Sequence, residues 1–89
     1  MARFIAIGAM PAISEAEFRH ALGAVKKGRI DRQSWVVKAY CSLDEGKLVV
    51  ECETPEQSRF EAWLAKAGWH IDSIHRVNLI HEANHIWAV

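Results

Sequence analysis

The chain has 89 residues, which is enough for one domain and too few for two. Lys and Arg together number 11, as do Asp and Glu, so no basic field draws nucleic acid and no charge run marks a membrane-binding stripe. Half of the residues are hydrophobic and four are Trp, more apolar material than so small a core readily hides, which points to self-association as a homodimer.

The run from Arg3 to Met10 is apolar and ends at Pro11, the length and ending of a buried strand. Read as a secretory leader, its removal would cost the fold that strand. Ser14 with Glu17 three residues on forms a capping box, and Phe18, Leu22 and Val25 follow at helical spacing. Lys26, Lys27 and Gly28 suit the end of that helix. Ser34 to Ser42 reads as a strand, Leu43 to Gly46 as a turn, and Lys47 to Glu53 as the returning strand of a hairpin. Thr54, Pro55 and Gln57 then predict a second capped helix, with Phe60, Trp63, Leu64 and Ala67 as its buried stripe and Gly68 as its stop. A last strand falls within Ile71 to Ile80, in its second half. Residues 81–89 remain an unassigned C-terminal tail of the single domain, 1–89.

This order is the split βαβ pattern: an α+β, ferredoxin-like βαββαβ sandwich. Its four-stranded antiparallel sheet, in the order 4-1-3-2, carries two helices on one face and leaves the other open. A four-residue turn pairs Ser42 with Lys47 and, counting outward, Lys38 with Glu51 and Val37 with Cys52. Trp35, Val37, Ala39, Cys41, Leu48, Val50 and Cys52 then face the helices. Val36, Lys38, Tyr40, Val49, Glu51 and Glu53 form the open face, with Lys38 and Glu51 as a cross-strand ion pair. In that register Cys41 and Cys52 lie too far apart for a disulfide, and they are spaced neither as a zinc pair nor as a redox motif. Together with the lack of any apolar run of the ~18 residues that span a bilayer, this makes the cytoplasm the expected location and a membrane an unexpected partner.

The segments from Lys38 to Leu48 and from Glu51 to Glu56, with Ala67-Gly68 and Ile71 to Ile74 downstream, resemble a small bacterial ferredoxin-like family of the dimeric α+β barrel type. The resemblance covers roughly residues 33 to 80. It implies a homodimer, and one branch of that family is nickel-binding. Val50, Cys52 and His70 depart from the family pattern, and no ligand set is carried over.

Two constellations are candidates for chemistry. His81-Glu82-Ala83-Asn84-His85 matches H-E-x-x-H, which on a helix places two His on one face. A protease needs a third ligand and a cleft that so short a tail does not supply. The motif is therefore read as a possible site for nickel, copper or zinc formed by His81 and His85 with His75 or a partner-chain group. Lys38, Tyr40 and Glu51 on the open face form a candidate ligand-binding set. The expected function is a dimer that binds a small ligand or transition metal. The alternative is a small cofactor-independent enzyme, monooxygenase-like or muconolactone-isomerase-like, acting on a small organic substrate.

Overall fold

The computed structural model describes residues 1–9, 14–23 and 28–89. In chain order the elements are β1 (Ala2–Ala9), α1 (Glu15–Gly23), β2 (Trp35–Ser42), β3 (Lys47–Thr54), α2 (Gln57–Ala67), β4 (His70–Val77), β5 (Leu79–Glu82) and β6 (His85–Ala88). The first four strands along the chain form one antiparallel sheet in the order β2-β3-β1-β4, and β5 and β6 form a separate two-stranded sheet. A four-stranded antiparallel sheet with two helices is consistent with a ferredoxin-like fold.

Alternation sets the core. Phe4 and Ala6 of β1 and Leu48, Val50 and Cys52 of β3 are buried with Phe60 and Leu64 of α2, and Phe18 of α1 packs against the same cluster. At α1 the Ser14 hydroxyl oxygen accepts from the Glu17 backbone N–H at 3.1 Å, as a capping box requires. The expected helix end at Val25, Lys26 and Lys27 lies outside the described residues, as do Met10 and Pro11.

The second capping box does not form. The α2 N-cap is Glu56, without a side-chain cap, and the helix starts at Gln57. Thr54 is diverted inward: it is fully buried, and its hydroxyl lies 2.8 Å from that of buried Ser34. A buried hydroxyl must find a partner, and a helix-capping position is exposed. Gly68 closes α2 with φ 75 in the left-handed region.

The last strand of the main sheet comes earlier than expected, at His70–Val77, directly after that glycine. His70 opens this strand opposite Ala9. A bulge between Ile7 and Gly8 in the β1–β4 ladder lets both Ile71 and Ile74 pack on the core despite their odd spacing.

The hairpin register holds from Ser42↔Lys47 to Lys38↔Glu51 and then breaks. Val36, not Val37, opposes Cys52, and Trp35 opposes Glu53. Val37 is the extra residue of a bulge and is 38% exposed. Val36 therefore packs on the core, and Trp35 moves to the face without helices. Cys41 and Cys52 are both thiols, half-buried and buried.

Candidate functional site

The helix-free face can be read directly from the ladders, because directly opposed residues share a face. One row across the sheet is Lys38–Glu51–Ile5–His75, from β2 through β3 and β1 to β4. The row on one side is Trp35–Glu53–Arg3–Val77, and on the other Tyr40–Val49–Ile7–Ser73. The fold thus brings Lys38, Tyr40, Glu51 and His75 onto one surface, although β4 and the β2–β3 hairpin lie far apart in the chain.

The charges on this face pair differently from the expected Lys38–Glu51 contact. Arg3 forks between two carboxylates, donating to Glu51 Oε2 at 2.8 Å and to Glu53 Oε2 at 2.9 Å. A guanidinium fits this arrangement because its donors lie in one plane. Burial works against the charge on Arg3, but its hydrogen bonds to Glu53 and Glu51, together with their charges, outweigh it and leave its pKa raised. Arg3 Nε is buried without a partner among the described residues. Lys38 pairs instead with Glu82, at 3.8 Å, and its ammonium stands 5.8 Å from the Tyr40 ring centroid. Its pKa is raised by Tyr40, through a hydrogen bond and then charge, and by Glu82.

Glu82 reaches Lys38 because the C-terminal tail is a β-hairpin. β5 and β6 pair Leu79 with Ala88 and Glu82 with His85 around Ala83 and Asn84. A hydrogen bond from the Val89 N–H to the Asn78 carbonyl closes its base. The hairpin leaves β4 at one sheet edge and touches β2 at the other, so it crosses the helix-free face. Glu82, His85, Ile80 and Trp87 share its inner side, where Ile80 and Trp87 are half-buried and His85 stacks on Trp87 at 5.1 Å. Leu79, His81 and Ile86 share the outer side, with Leu79 67% and Ile86 64% exposed.

This topology separates His81 from His85. They occupy opposite sides of the hairpin, and His75 lies on the sheet. Among the described residues no group of three or more His, Cys, Asp or Glu is placed to hold a metal ion. Within one chain, then, the structure does not bring His75, His81 and His85 together around one ion.

The hairpin covers only part of the face. Arg3, Glu51 and Glu53 have side chains no more than 26% exposed, whereas Ile7 is 41% and Tyr40 61% exposed at the other end. On the helix side, a cavity of about 390 Å³ is lined by Glu15, Phe18, Arg19, Cys41 and Leu43.

Sequence reasoning missed the role of Arg3, since its carboxylates come from the β1–β3 register, which has no local signal. A lone cation opening an apolar strand was the available hint.

No helix among the described residues is long and apolar enough to cross a membrane. No family model and no curated protein matches the sequence. The crystal structure of SCO4226 from Streptomyces coelicolor A3(2) is similar, with a TM-score of 0.74 and 22% sequence identity over 90% of this chain and 100% of that one. At that identity the likeness is one of fold.

Proposed function

We propose that the protein is a homodimer that binds a small organic ligand against the helix-free face of its sheet. The observation that carries this is the row Lys38–Glu51–Ile5–His75 with Tyr40 beside it: donors, an acceptor and an aromatic ring on one sheet face bordered by exposed apolar side chains. Small-ligand sites combine those features, and strands hold them more rigidly than loops do. Lys38 and Tyr40 supply donors, Glu51 an acceptor, and Ile5 an apolar floor. A metal enters this account only if two copies bring histidines together, because one chain separates His81 from His85.

Native mass spectrometry of the purified protein tests the proposal. The expected species has twice the 10.1 kDa mass of one chain and retains added organic mass when a small aromatic-acid library is supplied. A monomer would contradict the dimer. Stoichiometric nickel, copper or zinc, lost on chelation, would replace the organic ligand with a metal.

A second reading, a cofactor-independent enzyme of the monooxygenase-like or muconolactone-isomerase-like type, is favoured by the cavity between α1 and the β2–β3 turn. A substrate bound there would be displaced by Phe18→Trp and not by Tyr40→Ala.

A further inference from the structure

Two exposed apolar patches lie on the same side of the molecule. One is the uncovered end of the sheet, with Ile7 41% and Tyr40 61% exposed beside half-buried Val49. The other is the outer side of the hairpin, with Leu79 67% and Ile86 64% exposed and His81 between them. The hairpin crosses the sheet face at Lys38 and leaves the Ile7–Tyr40 end bare. A two-fold axis relating two such faces sets each hairpin against the bare end of the other copy.

We infer that in the dimer each C-terminal hairpin seats its outer side, Leu79, His81 and Ile86, on the uncovered Ile7–Tyr40–Val49 end of the partner's sheet. The inference rests on the dimer proposed above and goes beyond it, because it makes the ligand site composite: His81 arrives from the other copy. The occupant is a second copy because one molecule carries both patches, and a two-fold contact uses them together. With strands of eight residues, half of a four-stranded face has a footprint of only ~250 Å². A specific interface buries ~800 Å² per partner, so the bare sheet alone falls well short. A two-fold contact uses both the bare sheet and the hairpin of each copy, and so buries more than a partner seated on the bare sheet alone. The exchange also has the symmetry a closed dimer needs, since each contact occurs twice.

A complementation experiment tests this. Leu79→Asp/Ile86→Asp alters only the hairpin, and Tyr40→Asp alters only the bare sheet. All three side chains are more than half exposed in one chain, so both variants should fold, and circular dichroism checks that they do. Should Tyr40→Asp unfold, Tyr40→Lys serves instead. Sedimentation equilibrium should show a wild-type dimer and each variant weakened more than tenfold toward monomer. A one-to-one mixture should form a heterodimer, because one of the two contacts then joins an unaltered hairpin to an unaltered sheet. A hairpin variant that dimerises as wild type would overturn the inference while leaving the dimer intact, as would a mixture that stays monomeric. A monomeric wild type would remove the dimer itself.

Discussion

Glu82, at the tip of the C-terminal hairpin, stands 3.8 Å from Lys38 in the edge strand β2. Both groups are largely exposed, so the ion pair marks where the hairpin lies more than it fixes it there. Ile80 and Trp87, on the same side of the hairpin, are half-buried and carry its apolar area. Glu82→Gln should therefore leave the melting temperature unchanged, whereas Trp87→Ala should cost about 1–2 kcal/mol. It should also speed amide exchange across residues 79–89. Equal effects from the two variants would place the hairpin elsewhere.

Arg3 holds Glu51 and Glu53 together on the face the hairpin covers. Arg3→Leu keeps the strand apolar but leaves two neighbouring carboxylates half-buried without their cation. The expected loss is about 1–3 kcal/mol, measured by urea unfolding. Adding Glu51→Gln and Glu53→Gln should recover most of it by removing the stranded charges. No recovery would mean that the packing of the Arg3 stem, not its charge, is what matters.

Gly8 sits at the bulge between β1 and β4, where a Cβ would collide with the His70 carbonyl oxygen. That neighbour is backbone and cannot rotate away. Gly8→Ala should cost about 2–3 kcal/mol, read from thermal or urea melts. Gly23, with open space around a Cβ, provides the control: Gly23→Ala should be neutral or stabilising.

Asp31 accepts a hydrogen bond from the Gln33 backbone N–H at 2.8 Å, which with contributions from Ser34 and Arg59 holds its carboxyl below the usual 3.8. A folded pKa below the unfolded one gives stability that is present above pH 3.8 and is lost as the pH falls through the lower folded value. Asp31→Asn should flatten that acid limb in melts recorded between about pH 5 and 2. Parallel curves for the two proteins would contradict the assignment.

Short-range signals in the sequence were legible, and long-range ones were not. The turn from Leu43 to Gly46 determined the register of its hairpin as far as Lys38–Glu51, because each pair follows from the one before. The count failed at Val37, where one extra residue passes Val36 into the core and puts Trp35 on the other face. A β-bulge leaves no local signature when both candidate residues are valine. Thr54 was misread as a cap because the pattern cannot show that Ser34 lies beside it in space. The tail had no fixed period: its H-E-x-x-H spacing suits a helix, and its β-branched and aromatic flanks suit strands. The structure settles on strands, with Ala83 at φ 56 in the turn. That choice is what sends His81 and His85 to opposite sides. Lys38, Tyr40 and Glu51 could be placed on one face because they belong to one local hairpin; Arg3 belongs to a distant strand and could not.

The central claim is that the helix-free face is buried between two copies, and Tyr40 reports on it most directly. It is the only tyrosine in the chain, and it is 61% exposed in one protomer. Nitration or iodination, followed at this residue by peptide mass spectrometry over a dilution series, measures its access to solvent. The account predicts fast modification in dilute solution and protection as the concentration rises through the dimer dissociation constant. Modification at one unchanged fast rate over the whole range, in samples that sediment as dimers, would contradict it by placing the dimer contact on another surface.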